Sequence, residues 1–405
     1  MRIGIVSNYF TPRIGGNEAN NRLIGEALVR RGHDVTVLTR RYDPALHRRE
    51  IQNGISIERF SPCGEGILAK WLMNVGLFRR LTFSRLPFDI TLITQCSAHV
   101  LGPALAGILR RVPIVVQPIE AGELSGDISS QALRHLRFGI RQVVWKALSA
   151  TRTWAYHRAH LVVAFSSALA RDAEAFGFPS GAVVIIPNAV DTGRFRPVTE
   201  DEKAKLRASL GITPDAQVVT SVGRLVRGKG LLTLIEAWAI VAHDHPDALL
   251  FIVGSGPGVG SQDDTELSLR AAIKAAGLHD RVRLSGAVSD VKPYLQASDL
   301  FVFTSEQEGF GMALVEAMSC GLPVVCTRIE GAAADLVVDG EHGLKFDVGD
   351  AAALCARIER LLANEPMRRR MGAASRAIVE KQLSVDHVAA AYEQAFLQGR
   401  CAKLS

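Results

Sequence analysis

Short, nearly all-apolar runs alternate along the chain with longer segments whose apolar residues recur at helical spacing. The first run, RIGIVS (2–7), passes through the Pro/Gly loop NYFTPRIGGN into EANNRLIGEALVRRG. There Ala19, Leu23, Ile24, Ala27 and Leu28 fall on one helical face, and DVTVLT (34–39) follows as the next strand, which makes a βαβ unit. ITLIT (90–94), PIVVQ (113–117), LVVAFS (161–166) and AVVIIPN (182–188) extend this series. PNAVDTGRFRPVTE then interrupts it with prolines and charges, as a linker does. A second series runs through QVVTSVG (217–223), LLFIVG (249–254), VRLSG (282–286), LFVFTS (300–305) and PVVCT (323–327), again with helical patterns between. Strands that are apolar throughout, separated by helices, predict an α/β protein with doubly wound parallel sheets covered on both faces.

Composition narrows the class. The chain has 405 residues, 48% apolar and 22% charged, which is length for two domains. Met1 leads directly into RIGIV with no charged-then-apolar leader, and no apolar stretch reaches the ~18 residues of a bilayer span. The expected location is therefore cytoplasmic. The six cysteines include no C-x-x-C pair, so the pattern suggests buried thiols and not a disulfide framework or a zinc site.

Charge is distributed unevenly. Residues 1–190 hold 23 Lys+Arg against 13 Asp+Glu, and the remainder 24 against 28. Two stretches, 67–88 and 128–171, contain no acidic residue and mix arginine and lysine with Trp71, Phe78, Phe83, Phe138, Trp145 and Trp154. Basic segments with interleaved aromatic residues suit an anionic lipid surface, giving an expected peripheral attachment to the inner face of the membrane. Solvated arginines on core helices are the competing reading. Nucleic acid is not an expected partner, because no recognised binding motif accompanies the charge.

In parallel sheets ligands bind beyond the carboxyl ends of the strands, so the loops after strands are where chemistry belongs. Gly15 and Gly16 open the first helix and allow close approach of an anion to its N-terminus. VGRLVRGKG (222–230) carries Arg224 and Lys229 on a glycine-rich loop, one planar fork and one mobile ammonium suited to a diphosphate. GSGPG (254–258) is another glycine-lined strand end, with Gly254, Gly256 and Pro257. After LFVFTS, the loop EQEGFG and the helix MALVEAMSC place Glu308 before Gly309, Phe310, Gly311 and Met312, and Glu316 beyond them. If the helix starts near Gly311, Glu316 sits about 7.5 Å along it. A carboxylate there can accept both hydrogens of a vicinal diol, as on a ribose, with Glu308 in reach of a neighbouring polyol.

The motifs PRIGGNE, IIPNAVDTGRF, VGRLVRGKG, GSGP, EGFGMALVEAMSCGLPVV and VVDGEHGLKF stand in the order and spacing of the family 4 retaining glycosyltransferases, and the resemblance covers nearly the whole chain. The Glu308/Glu316 pair matches that family's E-x7-E motif. The resemblance implies a GT-B fold, two Rossmann-like doubly wound domains facing across a cleft: 1–190 for the acceptor, 191–383 for the nucleotide-sugar donor, and a final helix within 384–405 returning to the first domain. It implies that Arg224 and Lys229 bind the donor diphosphate, Glu316 the ribose and Glu308 the donor sugar, and that Gly15 and Gly16 meet donor phosphate or acceptor. The implied reaction moves a sugar from a nucleoside diphosphate to a glycan or lipid-linked acceptor with retention, the leaving phosphate taking the acceptor's proton. No cofactor or metal is expected: no D-x-D occurs, and Arg224 and Lys229 carry the leaving-group charge.

The chain also departs from the family. Where many members carry a histidine after the strand reading here PIVVQPIEAGE, this sequence has Ile119 or Glu120. Glu120, Glu123 and Asp127 are candidate substitutes on that loop, and His99 after ITQCSA is a further candidate for sugar or acceptor contact. Two alternatives remain at this stage: a nucleotide-sugar 2-epimerase-like isomerase, and a non-catalytic nucleotide-binding assembly partner.

Overall fold

The computed structural model describes residues 1–12, 15–60, 63, 67–95, 98–120, 122–124, 149–256, 265–331 and 335–401. Among the sequence-derived candidates, Pro257, Asp127 and the basic stretch 128–148 lie outside the described residues. The chain divides into two compact units, Met1–Ala189 with Val385–Ser405, and Val190–Ser384.

Unit 1 is built on eight strands: β1 (Arg2–Ser7), β2 (Asp34–Arg40), β3 (Arg49–Gln52), β4 (Ile55–Phe60), β5 (Ile90–Thr94), β6 (Ile114–Gln117), β7 (Leu161–Ala164) and β8 (Val183–Ile185). They lie in the order β3-β4-β2-β1-β5-β6-β7-β8. All pair in parallel except β3, which runs antiparallel to β4. Alternate side chains of each strand feed opposite cores, as the period of two requires. Ile3, Ile5 and Leu92 pack with Ile24 and Leu28 of α1 (Gly16–Arg30) and with Val388, Tyr392 and Phe396 of the terminal helix Val385–Cys401. Val6, Leu38 and Ile93 pack with Met73 and Leu77 of α2 (Ile67–Phe83) and Ala104 of α3 (Leu101–Arg110). The terminal helix is thus an integral part of unit 1. Its Tyr392 hydroxyl accepts from the Gln117 amide, and Glu393 pairs with Arg31 at 2.6 Å.

Two local features differ from the sequence reading. The segment 49–60 forms an antiparallel hairpin that the apolar pattern did not single out. In α1, Ala19 and Leu23 are only half-buried, while Glu18, Asn20 and Asn21 are buried. Hydrogen bonding explains the second case: Asn20 Oδ1 accepts from the Ala189 N–H at 2.9 Å and Asn21 Nδ2 donates to Thr94 Oγ1 at 3.0 Å at the end of β5, so each amide has a partner inside the unit.

Unit 2 carries six parallel strands in the order β11-β10-β9-β12-β13-β14. They are β9 (Gln217–Val222), β10 (Ala248–Val253), β11 (Val282–Gly286), β12 (Leu300–Phe303), β13 (Val324–Thr327) and β14 (Gly343–Phe346), the last not anticipated from the pattern. β9 pairs with β10 on one side and β12 on the other, so chain order reverses between β9 and β12. That reversal is where an open α/β sheet leaves a crevice beyond its strand ends.

Candidate active site

The loops after β9 and β12 meet at this reversal. Lys229 ends the short turn Arg227–Lys229, and Gly230 follows at φ 60°, starting the helix Leu231–Asp244. A Cβ on Gly230 would lie 2.1 Å from the Thr304 carbonyl oxygen, so only glycine permits this approach. Two hydrogen bonds lock the loops together: Thr304 Oγ1 donates to the Lys229 carbonyl at 2.7 Å, and the Glu306 N–H to the Gly228 carbonyl at 2.9 Å. Held this way, the Lys229 ammonium makes an ion pair with the Glu308 carboxylate, which also accepts from Ser305 Oγ at 3.3 Å. Arg224, on the same loop, is exposed and its guanidinium has no hydrogen-bond or ion-pair partner among the described residues.

Phe310 is buried beneath the second loop and Gly311 caps the helix Met312–Ser319, whose first turn has no side-chain cap. Its free N–H groups therefore face the loop. Met312 is half-buried at the helix start, and Gly309 likewise in the loop before it. Glu316 lies one turn along, with no hydrogen-bond partner among the described residues. Burial pushes its carboxyl pKa up to about 7; Arg194 opposes that rise and Asp290 adds to it. Arg194 and Asp290 are themselves paired at 2.8 Å. An unpaired, desolvated carboxylate in this position is an acceptor without a donor.

The third loop of this edge is tied down. Gly254, at φ 144°, approaches Gly223 so closely that a Cβ would lie 1.9 Å from its carbonyl oxygen. Its N–H donates to the Gly286 carbonyl at 2.9 Å, and the Gly256 N–H to the Glu266 carboxylate. Both glycines therefore shape the loop with their N–H groups already committed.

The remaining candidates belong to unit 1. Gly15 caps α1, but a Cβ there would fall 2.2 Å from Glu18 Oε2, so a carboxylate of the chain itself already stands against this helix start. Gly16 is the first helical residue and is exposed. His99 is 2% exposed, with Nε2 3.1 Å from the Thr94 carbonyl oxygen; that places the ring inside the unit. Glu123 is buried and accepts from the Ile119 N–H at 2.6 Å, closing its own loop, whereas Glu120 is exposed. Ser305, Arg194 and Asp290 are site neighbours that the sequence reading missed. For Ser305 the signal was present, a hydroxyl residue directly after a strand.

Comparison with known proteins matches these observations in series. The family Glycosyltransferase Family 4 matches residues 14–194, and Glycosyl transferases group 1 matches residues 202–378. The lipopolysaccharide core biosynthesis glycosyltransferase LpsE of Rhizobium meliloti (strain 1021) is 35% identical over 210 residues, covering 52% of this chain and 56% of that protein. The chain thus spans little more than half of LpsE. N-acetyl-alpha-D-glucosaminyl L-malate synthase of Bacillus anthracis is 25% identical over 404 residues, covering 97% and 96%. Among solved structures, Anabaena Alr3699/HepE in complex with UDP and glucose superposes with a TM-score of 0.75 at 25% identity, covering 97% of this chain and 98% of that one. With one family falling on each α/β unit, the chain belongs to the family 4, group 1 glycosyltransferases and has their GT-B fold.

Proposed function

We propose that this enzyme moves a sugar from a nucleoside diphosphate sugar to a polyol acceptor with retention at the anomeric carbon and without a metal ion. The observation that carries the reading is Glu316, a half-buried carboxylate with no hydrogen-bond partner among the described residues, one helical turn beyond the loop of Glu308, which is itself hydrogen-bonded to the loop bearing Arg224 and Lys229. A ribose diol supplies the two hydrogens that Glu316 lacks, and the diphosphate takes Arg224 and draws Lys229 away from Glu308. Glu308 then faces the sugar. As the glycosidic bond breaks, negative charge grows on the departing phosphate, where the two cations stabilise it. The same phosphate oxygen accepts the acceptor's proton, so departure and attack share one face. Gly15, Gly16 and the surrounding strand ends of unit 1 serve the acceptor.

Relatives named for lipopolysaccharide core, capsular polysaccharide and phosphatidylinositol mannoside biosynthesis support an envelope or lipid-linked acceptor. A surface of unit 1 supports docking on an anionic membrane. Val75 and Phe83 of α2 are 55% and 70% exposed, Leu109 of α3 is 63% exposed, and Arg79, Arg85, Arg110 and Arg111 stand exposed around them with no acidic residue in either helix. No helix among the described residues is long and apolar enough to cross a membrane.

Ligand-induced thermal shift with UDP-, GDP- and ADP-sugars tests the donor reading, since a bound ligand raises stability by mass action. One base should give a clear shift, followed by a product of unchanged anomeric configuration. Absence of a shift with all three overturns the proposal.

A further inference from the structure

Buried polar atoms without a hydrogen-bond partner gather at the carboxyl edge of the unit-1 sheet. They include both amide atoms of Asn17, Thr39 Oγ1, all three guanidinium nitrogens of Arg40 and Gln95 Oε1. Thr39 and Arg40 end β2, Gln95 directly follows β5 and Asn17 lies in the first turn of α1 after β1, three strands adjacent in the order β2-β1-β5 with neighbours about 4.8 Å apart. Buried polar groups are ordinarily satisfied, and a cluster of exceptions at a strand-end edge points to a missing ligand.

Arg40 is the sharpest exception. It is 0% exposed, and its guanidinium lies 4.6 Å from the centroid of the Tyr9 ring, which in turn meets Tyr42 edge-on at 5.7 Å. Neighbouring arginines each have a partner, although Arg59 Nε and Arg80 Nη1 remain without one. Arg59 pairs with Glu50 and donates to the His47 and Thr11 carbonyls, Arg80 pairs with Glu58, and Arg41 donates to the Leu46 carbonyl. Glu50 and Glu58 are thereby taken, and of these arginines only Arg40 has neither a hydrogen-bond partner nor an anion among the described residues. Such a charge is costly to bury and persists only where something external pairs with it. Gln95 adds a second sign: it holds φ 59°, a left-handed conformation that non-glycine residues adopt at functional sites, and its amide nitrogen donates to Glu18 at 3.2 Å, leaving the carbonyl oxygen turned elsewhere.

We propose that Arg40 receives an anionic group, phosphate or carboxylate, on the acceptor, while Asn17 and Gln95 bind its hydroxyls. The acceptor is then a polyol bearing a negative charge close to the hydroxyl that is glycosylated. The planar fork of Arg40 grips two anion oxygens at once, and the half-buried Tyr9 and Tyr42 cover it. This inference rests on the reading of unit 1 as the acceptor-binding half of the enzyme.

Thermal melting of the full chain, of Arg40→Met and of Arg40→Lys tests it, each with saturating UDP and then with inorganic phosphate or succinate added, against chloride of equal ionic strength. UDP fills the diphosphate site, so the added anion reports on a second one. The wild type should gain stability from at least one of the two anions, and the one that acts identifies the acceptor's charged group. Arg40→Met should melt at or above the wild type, because an unpaired buried charge has been removed, and should bind the anion roughly tenfold to a hundredfold more weakly. Arg40→Lys should fall between. A lower melting temperature in Arg40→Met with anion protection unchanged makes Arg40 a structural residue and overturns the proposal, as does a wild type that neither anion protects. If UDP gives no shift while the anion effect still depends on Arg40, the donor reading fails and the anion site stands.

Discussion

The Lys229 ammonium is held against the Glu308 carboxylate across 79 positions of sequence, so the two charges proposed to flank the donor neutralise each other. A diphosphate must displace Glu308 from Lys229 before it can use the lysine. On the proposed donor site the pair is a competitor for the donor as well as part of that site, and it exists because strand order sets the loop after β9 beside the loop after β12.

Removing each partner should have opposite effects on binding. Glu308→Gln frees Lys229, so nucleoside diphosphate affinity should hold or rise by up to about tenfold while turnover falls, since an interaction with developing charge appears in the rate. Lys229→Ala should weaken the diphosphate and slow transfer by roughly a hundredfold or more, the usual scale for losing a preorganised charge. Calorimetry and single-turnover rates on both variants check this. Parallel losses of affinity would refute the competition.

Much of this arrangement was legible in the sequence, and the exceptions have physical causes. Parallel strands covered on both faces are apolar throughout, so their ends announced the loops that hold Arg224, Lys229 and Glu308. The Lys229–Glu308 contact was not legible, because it depends on which strands are neighbours. The β3–β4 hairpin was overlooked although Asn53-Gly54 lies between Ile51 and the alternating Ile55 and Ile57, and both turn residues take positive φ, 49° and 82°. Arg40 ends a strand as a surface residue would, and only three-dimensional packing shows that its charge is enclosed. Glu123 stood in a loop suited to substrate, yet its carboxylate is spent on its own backbone.

Membrane docking through α2 and α3 should depend on lipid charge and salt. The enzyme should sediment with vesicles containing phosphatidylglycerol and detach as salt rises, because the attraction is screened over about 8 Å at physiological ionic strength. Replacing Arg79 and Arg85 by Gln should weaken binding by roughly 1 kcal/mol per charge. Equal binding to neutral and anionic vesicles would remove electrostatics from the explanation.

The charge stabilisation proposed for Arg224 and Lys229 also sets an expectation for metals. Transfer should continue in excess chelator at an unchanged rate, while Arg224→Ala loses roughly a hundredfold in turnover with the same chelator present. Activity that vanished in chelator and returned with magnesium would assign the leaving-group charge to a metal instead.

Glu316 predicts a pH dependence whose sign follows from its environment. Burial disfavours the ionised form and pushes its carboxyl pKa up to about 7 in the folded protein, from the ordinary 4.5. Without ligand, stability is therefore fullest below 4.5, declines as pH rises through the window up to about 7, and is level above it. Donor binding runs the other way. If the ionised carboxylate accepts both ribose hydrogens as proposed, nucleoside diphosphate affinity should climb as pH passes through about 7. Diphosphate protonation adds its own slope, and Glu316→Gln separates the two, because the amide cannot ionise while the ligand still can. The variant should bind about tenfold to a hundredfold more weakly at alkaline pH, reflecting roughly 1.5–3 kcal/mol of lost charge-assisted hydrogen bonding, and the difference should shrink as pH falls below 7. Calorimetric titrations of both proteins across pH 5 to about 9 measure that difference, and a constant gap at every pH would show that Glu316 does not ionise against the ribose.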